Sequence, residues 1–266
     1  MAPFNTKNQF RPLWVAPILT VAALILLVHS DVEAPKGHPA LAQLPPNMLW
    51  AWERAEDLRW LPSNAGVAYV AATLELEGDQ TRLRPRAYPL SVRPDTVVVP
   101  VVHVDASWRQ PPTLSDAQLH AIAAQVLMAA ATSAAHVVQL DFEVRRSQRA
   151  FLMQLVRAIR HDLPPDVALS VTALASWCAG DYWIESLPAD EIVPMAFRMA
   201  QDDGAIRLIL MDHGGFTRQR CQDAIGIASD EPVEARVPRR HYFFSPTAWD
   251  AKAWRTLMTI SYNRTD

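Results

Sequence analysis

The sequence predicts a compact (β/α)8 TIM-type barrel preceded by an N-terminal signal or anchor segment. Three observations predict it. Eight short apolar runs alternate with helical patterns or turn-rich stretches: 48–52, 66–76, 96–105, 136–143, 168–177, 191–197, 225–229 and 241–245. Alternation of this kind argues for parallel pairing with helices covering the sheet. The chain of 266 residues, 50% hydrophobic and 20% charged, is also long enough for one large core. An open doubly wound sheet is the alternative, but it lacks support from any glycine-rich phosphate loop.

The elements follow in order. Residues 1–28 hold Lys7 and Arg11 followed by the uncharged run Leu13–Val28, which reads as a secretory signal or a membrane anchor. Pro17 interrupts the run, and the small-x-small triplet Ala40-Leu41-Ala42 lies far downstream for cleavage. Residues 29–46, rich in Pro and polar residues, read as a linker, and the barrel domain occupies 47–266. Ser115 and Gln118 form a capping-box pattern at the head of a long helix. The segment RAFLMQLVRAIRHDL is an amphipathic helix ended by Pro164 and Pro165, and another helix lies near DAKAWRTLMTI. RLILMDHGG (207–215) fits a strand or a helix, and TLELEGDQTRLRPRAYPL alternates like a hairpin that leaves the second unit.

The strand at 136–143, HVVQLDFE, places chemistry at its far end. Side chains alternate along a strand, so Val137, Gln139, Asp141 and Glu143 share one face while Val138, Leu140 and Phe142 share the other. Active sites of such barrels sit at the C-terminal strand ends. Trp50, Trp52 and Arg54 share a parity at strand one, His103 and Asp105 close strand three, Ser176 and Trp177 close strand five, and Met195, Phe197 and Arg198 close strand six. Carboxylates beside tryptophans suit a carbohydrate, whose hydroxyls meet acceptors and whose C–H faces meet rings.

Plainer readings stand beside these. Trp50 and Trp52 serve equally well as core packing. His103 and Asp105 are better explained by hydrogen bonding than by a metal, and Arg54 by a pair with Glu53 or Asp57. Asp230 and Glu231 read as a surface loop. A formal charge of −3 offers no basic stripe for nucleic acid. No cofactor motif and no paired CxxC pattern is present. Cys178 and Cys221, in an exported chain, can form a disulfide or remain two thiols.

HVVQLDFE resembles the Asp-x-x-Asp-x-Asp-x-Glu strand of the chitinase-like, family eighteen, glycoside hydrolases, matched at Asp141 and Glu143. VPMAFRM is similar to their Met-x-Tyr-Asp strand at Met195 only. WAWER, RPDTVVVPVVHVD, QLDFE, TALASWC, VPMAFRM and SDEP together resemble a bacterial domain-of-unknown-function family. The hydrolase resemblance implies Glu143 as general acid and Asp141 as the group that orients a substrate acetamido. At the strand ends, Trp50, Trp52, Gln139, Trp177, Met195 and Arg198 are the expected contacts to a carbohydrate substrate, and Arg198 is alternatively expected to pair with Asp141 and hold it ionised. His136 and Gln139 replace two motif aspartates, and Phe197-Arg198 replaces Tyr-Asp. Two functions follow: an exported glycoside hydrolase acting on a polysaccharide or oligosaccharide, or a non-catalytic carbohydrate-binding barrel of the cell envelope. The location would be periplasmic or extracellular, with membrane attachment if the leader is kept.

Overall fold

The computed structural model describes residues 37–180, 182–233 and 240–262. Eight parallel strands close on themselves: β1 (Asn47–Ala51), β2 (Ala65–Glu77), β3 (Val98–Ala106), β4 (Val137–Asp141), β5 (Ala168–Leu174), β6 (Glu191–Met195), β7 (Ala224–Ala228) and β8 (Arg240–Phe244). Each pairs with its sequence neighbour, and β1 pairs with both β2 and β8. The fold is a TIM-type barrel. All eight strands lie within a few residues of the apolar runs that predicted them, because each run is bounded by turn residues and rich in side chains that suit a pleated, doubly covered surface.

The outer layer is less regular than the inner one. Helices α1 (Asp116–Ala131), α2 (Arg149–Asp162), α3 (Asp203–His213) and α4 (Ala251–Tyr262) follow β3, β4, β6 and β8. A short helix, Ala175–Ala179, follows β5. The capping box at Ser115 and Gln118 forms as expected. RLILMDHGG falls largely within α3: Ile206 and Leu210, four residues apart, are its buried contacts, and Gly214 ends it at φ 72°, a left-handed position that favours glycine. Between β1 and β2 the chain forms no helix; Glu56–Asp57 pairs in parallel with Leu90–Ser91, and Leu58 and Leu61 are buried in the outer core.

The hairpin expected after β2 is present. β2 runs on past the end of β1 and folds back as Gln80–Pro85, making an antiparallel extension. The register between β2 and β3 shifts between Val70 and Ala72. Arg86 holds this region, its guanidinium donating to the carbonyls of Val70, Trp52 and Arg54.

The lumen is packed rather than open. Its lower part carries a chain of buried polar side chains. Glu191 accepts hydrogen bonds from Arg240, from Tyr242 Oη (2.7 Å) and from Ser170 Oγ (2.7 Å). Gln139 then donates to Ser170 Oγ (3.0 Å) and accepts from Trp50 Nε1 (2.8 Å). Burial, joined by the charge of Glu191, pushes the Tyr242 phenol well above its ordinary value.

Residues 37–46 correct the expectation of a linker reaching to 46. Pro39–Ala42 forms a helical turn, Ala40, Leu41 and Leu44 are buried against the lumen cluster, and Arg240 donates to the carbonyls of Leu41 and Pro45. Three apolar side chains and two carbonyls satisfied by a buried guanidinium make this segment part of the fold. The leader at 1–28 and the start of the linker lie outside the described residues. Among the described residues, no helix is long and apolar enough to cross a membrane.

Candidate active site

The mouth of the barrel holds a cleft of ≈ 440 Å³, within the range of small-ligand sites. Trp52, Phe197, Phe244 and Met195 give it apolar walls, and Glu143 stands in it. Gly226 lies beneath: a Cβ there would come to 3.0 Å from the Phe244 ring and 3.3 Å from Met195 Cα, so glycine lets β6 and β8 side chains close the floor without crowding.

Three adjacent strands build the acidic centre. The β3–β4 register sets His103 opposite Asp141, and Thr172 on β5 completes the row. Asp141 is buried, and both of its oxygens accept hydrogen bonds: Oδ2 from His103 Nδ1 (2.7 Å) and Oδ1 from Thr172 Oγ1 (2.5 Å). His103 meets Trp52 edge to face, with ring centroids 5.6 Å apart. Glu143 lies two residues on, past the end of β4, and among the described residues its carboxylate has no hydrogen-bond partner.

The electrostatics follow from that placement. Although its side chain reaches solvent, Glu143 stands where protein removes much of its hydration. This burial raises its carboxyl above the usual glutamate range, the charge of Asp141 raises it further, and His103 opposes. For His103, burial disfavours the charged ring. The hydrogen bond and charge of Asp141, with the charges of Asp105 and Glu143, outweigh burial and leave its pKa above the ordinary value. A carboxyl shifted upward in this way holds its proton more firmly than a free glutamate, which is the direction a general acid needs.

The other predicted residues divide by position. Trp52, Met195 and Arg198 line the cleft with Glu143. Trp50 and Gln139 face the lumen but are fully buried and bonded to each other, beneath the reach of a ligand. Trp50 touches Trp52 and Phe244, with centroids 4.3 and 4.9 Å away, and so supports the cleft from below. Trp177 is not at the mouth. The chain leaves β5 at Leu174, and the following helical turn buries Trp177 in the outer core against Trp183. His136 is exposed at the start of β4 and pairs with Asp166. Cys178 and Cys221 are joined by a disulfide, Cα atoms 5.9 Å apart, in the outer layer.

Both cleft arginines are engaged. Arg198 binds Asp230 and Glu231 (2.6 Å each) rather than Asp141, so the loops after β6 and β7 are tied together and those acids do more than decorate a surface loop. Arg54 binds Glu56 and the carbonyls of Ser245 and Pro246, not Glu53 or Asp57. Thr172 and Phe244 were missed. The parity of Ser170 and Thr172 on β5 was the available signal for the first. Among the described residues no cluster of three or more His, Cys, Asp or Glu could hold a metal.

No family model and no curated protein matches the chain. Solved structures do. The Bacillus cereus spore cortex-lytic enzyme SleL aligns at a TM-score of 0.45 and 15% identity, over 69% of this chain and 51% of that one. The chitinase domain of the Clostridium difficile spore coat protein CotE aligns at 0.40 and 16%, over 62% and 52%. This chain spans about half the length of each. Neither likeness adds to what the strand order itself shows.

Proposed function

We propose that this barrel hydrolyses a glycosidic bond in a polysaccharide or oligosaccharide, with Glu143 as general acid. The observation that carries the reading is the Glu143 carboxyl standing in an aromatic-walled cleft beside Asp141, its pKa shifted upward by burial and by that charge. A sugar ring laid against Trp52 and Phe197 would present its glycosidic oxygen to Glu143, a step worth ~10²–10⁴-fold in rate. Asp141 supplies the neighbouring charge. A grip on a substrate acetamido is disfavoured by its burial, by its two existing bonds and by Phe197-Arg198 in place of Tyr-Asp. The two cleft arginines are already paired, which favours an uncharged sugar over an anionic one.

The location follows as part of the same proposal. The Cys178–Cys221 bridge suits an oxidising compartment, and the Leu13–Val28 run suits export. A leader, if removed, is not cut after Ala42, because that would strip Leu41 from Arg240. A barrel that binds glycan without cleaving it is the second reading, favoured by the loss of the Tyr-Asp pair at 197–198.

The test is reducing-end release from a panel of oligosaccharides and bacterial polysaccharides, using chain beginning at Gly37, with Glu143→Gln in parallel. Turnover by the wild type that falls about a hundredfold or more in the variant supports the acid role. Binding without turnover, equal in both proteins, replaces it with the second reading.

A further inference from the structure

His103 has a position that its role in packing does not exhaust. Its strand neighbours Val99 and Val101 belong to the apolar lumen, and an aliphatic side chain would continue that pattern. Instead the ring is half-buried between Trp52 and Asp141, directly below the cleft that holds Glu143. Nδ1 serves Asp141, so the tautomer of the neutral ring is fixed with hydrogen on Nδ1. Thr172 takes the other oxygen of Asp141 from the opposite strand. The carboxylate is thus held from two sides and cannot rotate without breaking a bond.

We propose that His103 is a positioning residue: its imidazole locks Asp141 beside Glu143 and so governs the acid–base behaviour of Glu143. The proposal rests on the reading of Glu143 as the acid, and it adds a third member to that centre. His103 and Glu143 each feel the charge of the other, and Asp141 stands beside both. The remaining charged group acting on the ring is Asp105, on its own strand. Arg54, Arg198 and Asp230 also line the cleft but are bound in their own ion pairs.

The chemical consequence has a sign. While His103 is protonated, its positive charge draws the proton off Glu143 and limits the effect of Asp141. When His103 loses its proton, Asp141 acts on Glu143 unopposed, and Glu143 becomes a weaker acid. The ring therefore buffers the acid against the anion that stands beside it. Asparagine at 103 separates the two halves of this role, since its amide can still donate to Asp141 but carries no titrating charge.

The experiment is a ¹³C titration of glutamate carboxyl carbons in the full chain, with Glu143 assigned by its absence in Glu143→Gln. Imidazole ¹⁵N shifts of His103 are followed in parallel. In the unmodified protein, the Glu143 carbon is expected to show its own inflection and a second one at the pH where His103 deprotonates. In His103→Asn the second inflection disappears and the Glu143 midpoint rises by about one unit. A single Glu143 inflection in the unmodified protein, insensitive to His103, overturns the proposal even if the variant does not fold. So does an unchanged midpoint in a folded variant. Neither readout requires turnover, so failure of the hydrolase reading would show separately, as an intact titration with no released sugar.

Discussion

Replacing Arg240 by Met should cost the barrel a large part of its stability. Arg240 and Glu191 are 5% and 2% exposed, and the carboxylate also receives Tyr242 and Ser170. Methionine fills much of the volume but leaves Glu191 as a buried charge without its cation, a change that typically costs about 3–5 kcal/mol. The carbonyls of Leu41 and Pro45 lose their donor as well, adding roughly 1–3 kcal/mol where no water replaces it. Against a domain stability of about 5–15 kcal/mol, that is enough to shift the unfolding midpoint far down. Urea denaturation followed by circular dichroism measures the difference. The double variant Arg240→Met/Glu191→Gln removes both charges and should recover at least half of the loss. A single-variant cost below about 1 kcal/mol, or a double variant no more stable than the single, would refute the assignment of this pair to the structural floor of the lumen.

Other consequences are equally measurable. Chain beginning at Asn47 should melt well below chain beginning at Gly37, because Leu41 and Leu44 are lost from the lumen cluster at about 1.5–3 kcal/mol each; thermal unfolding of the two decides it. Cys178→Ser/Cys221→Ser should lose about 2–4 kcal/mol, since the bridge closes a separation of 43 residues, and the same loss should appear when the wild type is unfolded under reducing conditions. The pKa of His103 is raised in the fold, so its ion pair stabilises fully below the ordinary histidine value and fades as pH rises through the raised one. The stability gap between wild type and His103→Asn should therefore narrow from acid toward alkaline pH in parallel denaturation series.

The strands were legible because each one is a short run rich in apolar side chains with punctuation around it, and in a barrel both faces of such a run are buried. Inward parity was equally readable: Gln139 and Trp50 do face the lumen. Their height in it was not. Height depends on how neighbouring strands stagger, a property of the closed barrel and not of any one segment, so two residues expected at the mouth lie a layer beneath it. Trp177 was lost for a different reason. The pattern TALASW continues the strand period, and nothing at Ala175 signals that the backbone turns helical and moves Trp177 to the outer layer. Arg198 sits at a positive φ of 54°, which turns it toward Asp230 and Glu231 and away from Asp141. Residues 37–46 looked like linker because Pro and polar residues dominate them; the buried guanidinium that holds them comes from almost two hundred residues away.

The role of Glu143 as acid is tested most directly by leaving-group dependence. Glu143→Gln and wild type would be compared on aryl glycosides of the sugar that the oligosaccharide panel identifies, with phenols of rising acidity as leaving groups. With Glu143 as acid, the loss is about a hundredfold or more on the poorest leaving group and shrinks steadily as the phenol becomes more acidic, because a good leaving group departs without a proton. A loss of the same size across the whole series, or no loss on any member, would contradict that role.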